Sequence, residues 1–350
     1  MKSSRVQLAA VGAAIAISTS FTNPVAAINL RFRQIYIFGD SLSDPGNVYT
    51  LSKQTIPPSP PYFDGRFSNG PVWAEKFDNI LGLTPQNYAD LGRPGHTPPR
   101  EGVNFAFAGA TSGRINLFGS SFFGLQQQID KFVHLKLTQR PPTLYALWIG
   151  ANDYLSDPFQ GVMKQSRLKP LSPPFVPRKT PTETVGHIVS TLKTLTQSGA
   201  KTILVFNLPD LGKTPFGRSN TTLSTALTQL TQAHNAALKS ELSSLSKQYP
   251  KTQFISVDIN RLFKLVSTQP YLFKLSNVKE SCLNTTVTPP KICDRPDQYL
   301  FWDDVHPTKV GHQIIAKFVF ANLFWQGQTK DPSRVFSLNE MLPILSANNY

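Results

Sequence analysis

Four short apolar runs, each stopped by a polar turn, frame the chain. Ile35-Tyr36-Ile37-Phe38 runs into Gly39-Asp40-Ser41, and Leu144 to Ile149 stops at Gly150-Ala151-Asn152-Asp153. Thr202 to Phe206 closes on Asn207-Leu208-Pro209-Asp210, and Phe254 to Val257 ends at Asp258. Short apolar runs bounded by turn signals predict buried strands. A fifth segment, Val103 to Ala110, alternates weakly and ends in small residues, which suits a strand end that another backbone or a substrate approaches.

Helical spacing fills the intervals. Pro71 is expected to open a helix as a first-turn proline, with Trp73, Phe77, Ile80 and Leu81 on its apolar face and Gly82 at its end. Leu125, Ile129, Phe132 and Val133 mark a second helix, with His134 on its polar side. Thr180-Pro181-Thr182-Glu183 is a capping-box start, followed by Val185, Ile188, Val189, Leu192 and Leu195 on one face. A long helix is predicted from about Leu223 to Leu245, and a last one carries Ile314, Ile315, Phe318, Val319 and Leu323. Alternating strand and helix predicts a parallel sheet with helices on both faces. The four polar strand ends then meet along one edge, where ligands bind in open α/β sheets. The proline-rich stretch Ile56 to Phe63 cannot be helix or central strand and is expected as a surface loop, and the region from Ser166 to Pro181 is again proline-rich and leads into the capping-box start.

No tract of linker composition divides the 350 residues, and 40% apolar residues with 24 phenylalanines supply a sizeable core. One domain is expected over residues 28–350, with its core at 33–326 and a short C-terminal extension, 327–350. Residues 1–27 have the form of an export signal: Lys2 and Arg5 at the start, an apolar stretch from Val6 to Ile17, and Val25-Ala26-Ala27 as a cleavage site. The apolar stretch is shorter than the roughly 20 residues of a spanning helix. The mature chain is therefore expected to lack a transmembrane segment and to reside in the periplasm or outside the cell.

In such a compartment Cys282 and Cys293, the only cysteines, are expected to form a local disulfide. No His or further Cys stands beside them at metal-ligand spacing. The net charge of +14 loses Lys2 and Arg5 with the signal and is otherwise spread along the chain. It fits peripheral contact with anionic lipid or cell-wall polymer, and without a binding motif it argues against nucleic acid as a partner.

The candidate chemistry begins at Ser41, held up at a strand end. A serine hydroxyl becomes a nucleophile when an imidazole takes its proton, and the imidazole needs a carboxylate to hold its tautomer. His306, in Asp303-Asp304-Val305-His306-Pro307-Thr308, lies in a loop at a helix start. His96, His187, His234 and His312 read as structural or solvated. Asp303 is the candidate orienting group, with Asp304 as its rival. Ester cleavage also needs donors aimed at a developing oxyanion. The backbone N–H groups of Ser41 and Gly109 and the side-chain amide of Asn152 are candidates, although Asn152 serves equally well as a turn cap.

Four blocks in this order resemble the GDSL lipase/esterase family, also called SGNH hydrolases. They are Phe38 to Asp44, Asn104 to Ala110 with Gly109, Gly150-Ala151-Asn152-Asp153, and Asp303 to Thr308. Gly65-Arg66-Phe67-Ser68-Asn69-Gly70-Pro71-Val72-Trp73 and Asn207 to Gly212 are similar to recurring stretches of its longer members. The resemblance, over Ile35 to Leu323, implies a three-layer α/β/α sandwich with a flavodoxin-like parallel sheet. It implies Ser41 as nucleophile, His306 as base, Asp303 as orienting carboxylate through the Asp-x-x-His spacing, and an oxyanion hole of Ser41, Gly109 and Asn152.

The implied activity is that of a serine ester hydrolase with no metal or organic cofactor, working through an acyl-enzyme on a lipid or other small-molecule ester. The chain looks most like bacterial lipolytic members, which include phospholipases A, lysophospholipases and glycerophospholipid acyltransferases. A polysaccharide acetyl-esterase and a binding module on an inactivated hydrolase fold are the alternatives. The Tyr62-Phe63 and Pro173-Pro174-Phe175 stretches either shape an acyl groove or form rigid surface loops.

Overall fold

Six strands, β1 (Gln34–Gly39), β2 (Gln86–Asn87), β3 (Gly102–Asn104), β4 (Thr143–Trp148), β5 (Thr202–Phe206) and β6 (Gln253–Val257), form one sheet. Their order is β2-β3-β1-β4-β5-β6, with every neighbour parallel. With the two-residue edge strand β2 set aside, this is the flavodoxin-like order. The chain passes from β1 to one side and then returns past it to β4, so a topological switch point lies between those two strands. This computed structural model describes residues 32–93, 98–155, 178–326, 340–341 and 344–345, all in the compact unit from Arg31 to Tyr350. The expected export signal, His96, Pro173-Pro174-Phe175 and nearly all of the C-terminal extension lie outside the described residues.

The helices are α1 (Asn47–Leu51), α2 (Trp73–Leu81), α3 (Leu125–Leu135), α4 (Ala151–Tyr154), α5 (Pro181–Gln197), α6 (Pro215–Arg218), α7 (Thr221–Gln248), α8 (Ile259–Thr268) and α9 (Lys309–Gln326). Successive strand residues point to opposite faces of a sheet. Tyr36, Phe38, Tyr145, Leu147, Ile203 and Val205 share a core with Phe132 of α3, Leu192 of α5 and Leu238 of α7. Trp148 and Phe206 instead meet Trp73 of α2, with ring centroids 6.1 and 4.7 Å away. On that side α2 packs against α9, and α9 against α8 and β6. The result is a three-layer α/β/α sandwich, and its two-sided cover explains why β1 and β4 are buried at every residue.

Several local expectations are corrected. Pro71 precedes α2 instead of opening it: Val72 is the N-cap, and Glu75 reaches back to accept its N–H at 2.9 Å, so the first turn starts at Trp73. Val133 is exposed, and the buried face of α3 is Leu125, Gln128, Ile129 and Phe132. Only Gly102–Asn104 of the segment up to Ala110 is strand, since the Asn47 amide takes the carbonyls of Asn104 and Ala106 that another strand would have bonded. The polar turn after β4 is the one-turn helix α4.

The stretch around the two cysteines is also more ordered than its Asn, Thr and Pro content suggests. After β7 (Asn277–Ser281), β8 (Leu283–Asn284) and β9 (Lys291–Ile292) pair as an antiparallel hairpin, closed by a Cys282–Cys293 disulfide with Cα atoms 4.9 Å apart. The N–H groups of Cys282 and Leu283 donate to Phe301 and Trp302, so the hairpin braces β10 (Tyr299–Phe301) immediately before Asp303. Reduction of this bond is expected to lower stability by about 3 kcal/mol in the chain-entropy picture. Chemical denaturation with and without reductant reads the effect, and an unchanged midpoint would show that the hairpin holds without it.

Candidate active site

The serine turn starts from a residue that tolerates no side chain. A Cβ on Gly39 would lie 2.5 Å from the Trp148 carbonyl oxygen. Gln128 clamps the same backbone, donating to Gly39 O at 2.8 Å and accepting from Gly39 N at 3.0 Å. Beyond it, the Asp40 carbonyl accepts the N–H groups of Ser43 and Asp44, and its carboxylate accepts from Leu42 at 3.1 Å. Ser41 is thereby held at the carboxyl end of β1, buried but lining a cleft.

The serine turn and the Gly109 segment are stitched into one unit. The Asp44 carboxylate accepts N–H groups from Gly46, Asn47 and Val48 on its own loop, and from Ala108 across the gap at 2.8 Å. Burial pushes its pKa up to about 6 even though all four donors favour the charged form. Asn104 donates to Ser43 O at 2.9 Å. Gly109 then sits at φ 76° in a turn closed from Ala110 N to Phe107 O at 3.0 Å, a position that suits a glycine. Among the described residues no hydrogen bond engages the N–H of Ser41 or of Gly109.

Asn152 lines the cleft from α4 and donates Nδ2 to Ala110 O at 2.9 Å. An amide nitrogen carries two hydrogens, so one remains for a ligand. Asp153 ties α4 to the same segment: its carboxylate accepts from Ser112 N and Oγ and pairs with Lys179 at 2.8 Å. Burial pushes the pKa of Asp40 up to about 7, with the Leu42 N–H and His306 opposing and Asp153 adding to the rise.

At the other end of the chain, Asp303 folds its loop upon itself. Oδ1 accepts the N–H groups of Val305 and His306 at 3.0 and 2.8 Å, and His306 Nδ1 lies 2.8 Å from Oδ2. A carboxylate only accepts, so Nδ1 carries the proton and Nε2 is left to accept from Ser41 Oγ, 2.8 Å away. Burial raises the Asp303 pKa, but the imidazole and the N–H groups of Val305 and His306 outweigh it and hold the carboxyl below the usual range. Asp304 turns away and accepts from Ser281 Oγ at 2.7 Å.

The stretch from Tyr62 to Trp73 clamps this loop. Ser68 Oγ donates to Pro307 O at 2.9 Å, Asn69 accepts the N–H of Lys309 at 2.7 Å, and Trp73 N donates to His312 Nδ1 at 3.1 Å. Phe67 packs its ring 5.0 Å from that of His306. Tyr62 does not line the cleft, as a groove-forming role would require. Its hydroxyl donates to Asp303 Oδ2 at 2.7 Å, while Phe63 is exposed. Sequence reasoning offered Tyr62-Phe63 a groove or a surface loop and did not foresee these contacts with the histidine loop, whose partners lie some 240 positions away.

The site therefore brings together Ser41, His306, Asp303 and Asn152, with Gly109 in the adjoining turn. A cleft opens on Ser41, Asn152 and His306, with Asp40 and Thr214 also on its lining, and its remaining walls are apolar, among them Leu155, Leu211, Phe263 and Phe301. Of the four polar strand ends, those of β5 and β6 carry none of the candidates: Asn207 donates to Asp258, which caps α8. His187, His234 and His312 bond Ser112, Tyr154 and Trp73 respectively. Among the described residues no group of three or more His, Cys, Asp and Glu side chains could hold a metal ion, and no helix is long and apolar enough to cross a membrane.

Residues 35–319 match the family described as GDSL-like Lipase/Acylhydrolase. A phosphatidylcholine-sterol acyltransferase of Aeromonas hydrophila is 32% identical over 253 residues, 72% of this chain, and the match spans 65% of that protein, just under two thirds of its length. GDSL esterase/lipase 5 of Arabidopsis thaliana is 25% identical over 356 positions, covering 89% of this chain and 87% of that one. The crystal structure of a lipolytic G-D-S-L family member from Veillonella parvula aligns with a TM-score of 0.42 and 11% identity over 82% of this chain and 96% of that one. With the family match extending from β1 into α9, the chain belongs to the GDSL-like lipase/acylhydrolase family.

Proposed function

We propose that this protein, a serine ester hydrolase of the GDSL family, cleaves carboxylic esters of lipids through an acyl-enzyme on Ser41. The observation that carries the reading is the unbroken hydrogen-bonded chain from Ser41 through His306 to Asp303 at the mouth of an apolar cleft. Ser41 Oγ attacks the ester carbon as its proton passes to His306 Nε2. Asp303 steadies the imidazolium that forms. The negative oxygen of the tetrahedral intermediate takes hydrogen bonds from the Ser41 and Gly109 N–H groups and the free amide hydrogen of Asn152. His306 returns the proton to the departing alcohol, then deprotonates a water that releases the acid and restores Ser41.

The apolar walls favour an acyl chain over a lone acetyl group, since each buried methylene contributes about 0.8 kcal/mol. Similarity to the Aeromonas acyltransferase supports a second reading, in which an alcohol replaces water in the deacylation step. Export through residues 1–27, ahead of one catalytic domain, belongs to the proposal. A disulfide suits an oxidising compartment, and the +14 charge suits contact with an anionic lipid surface.

The test is acid release from esters ranging from acetyl through long-chain acyl to phospholipid and lysophospholipid, with Ser41→Ala as control. Serine-dependent activity that rises with chain length is expected. Activity confined to acetyl esters would favour polysaccharide deacetylation, and none at all would favour a binding module. Ser41→Ala is expected to lower kcat by about 10⁶, and a loss below about tenfold would sink its role as nucleophile. Asn152→Ala is expected to lower kcat by about 10²–10³ with the melting midpoint kept; unchanged turnover would remove it from the oxyanion hole.

A further inference from the structure

The stretch Pro57-Pro58-Ser59-Pro60-Pro61 delivers Tyr62 to the interior. Prolines restrict the backbone before folding, so fixing the ring that follows them costs less conformational entropy. On the far side, Phe63 N donates to Ser68 O and Arg66 pairs with Glu75 at 2.6 Å. The Tyr62 ring lies 5.6 Å from that of Phe67, which itself packs on His306. Burial and the Asp303 charge raise the pKa of the phenol well above its usual value, so it keeps its proton and donates it to Oδ2. Among the described residues, Tyr62 and His306 are the only side chains bonded to the Asp303 carboxylate.

We propose that Tyr62 is a positioning residue for the ester-cleaving site: its hydrogen bond to Asp303 Oδ2 fixes the rotamer of that carboxylate and moderates the negative charge that faces His306. Oδ1 is fixed by two backbone N–H groups, whereas Oδ2 depends on side chains alone. Without the phenol, Oδ2 keeps only the imidazole, and a buried acceptor site is left unfilled. A carboxylate relieved of a competing donor also holds an imidazolium more tightly. The other titratable groups that face this chain of bonds are Asp40, Asp304 and His312, and of these Asp304 also faces the phenol.

The proposal rests on Ser41, His306 and Asp303 acting as described above. Tyr62→Phe keeps the ring and its packing and deletes only the donor. Relative to wild type it is expected to lower kcat roughly tenfold, to leave KM nearly unchanged, and to move the acidic limb of the kcat/KM profile to higher pH. Fluorophosphonate labelling of Ser41 across the same pH range gives the limb independently of turnover and counts only folded molecules. A wild-type kcat with an unmoved limb would overturn the role, as would a lower kcat with a lower melting midpoint and an unmoved limb, which is the pattern of a purely structural contact. Ester cleavage that survives Ser41→Ala would instead defeat the catalytic reading on which this one stands.

Discussion

The site hangs on one hydrogen bond, from Ser41 Oγ to His306 Nε2, that closes a separation of 265 residues. Such a bond weakens steeply with misalignment, so both partners must be held by something stiffer than a free loop. On the serine side the stiffness comes from β1 and from polar side chains that grip backbone: Gln128 on Gly39, Asp44 on four N–H groups, Asn47 on two carbonyls. On the histidine side Asp303 winds its loop into a turn, and the hairpin closed by Cys282 and Cys293 braces the strand before it. The segment from Tyr62 to Trp73 leaves the serine loop and docks on the histidine loop, so one stretch of chain spans the gap.

Three buried aspartates cluster round the serine, and their surroundings give them different characters. Asp44 is surrounded by backbone donors and acts as a staple. Asp303 has backbone donors, a phenol and an imidazole, and its carboxyl is held below the usual range. Asp40 has one backbone donor and an oxygen with no partner among the described residues, and burial pushes it up to about 7. Charge is thus favoured at Asp303, opposite the imidazole, and disfavoured at Asp40, next to Ser41. Environments that drive neighbouring carboxyls apart are a usual way of separating their roles.

Much of the fold was legible because a two-sided parallel sheet leaves a strong mark. Each of β1, β4, β5 and β6 is an apolar run closed by a polar turn, and Thr180-Pro181-Thr182-Glu183 caps α5 as its residues suggest. Details that depend on competition between neighbours were not legible. Gln128 is one such case, since nothing local says that an amide will hold a buried position by clamping Gly39. Asp303 and Asp304 differ from that case: adjacent in sequence, they bond His306 and Ser281, and the Asp-x-x-His spacing of the family resemblance singles out Asp303.

Local pattern, chain order and residue type were enough to mark the central strands of the sheet, the serine at the end of β1, the histidine before α9 and the disulfide, whereas the edge strand Gln86–Asn87 left no such mark. Their surroundings come from the packing of distant segments. That Tyr62 reaches Asp303, that Phe67 covers His306, and that Leu211, Phe263 and Phe301 wall one cleft are contacts between segments far apart in the chain. Apolar and aromatic residues look alike in sequence whether they face a core, a cleft or a buried carboxylate. Their tasks are set by packing, which is a property of the assembled layers and of no single stretch.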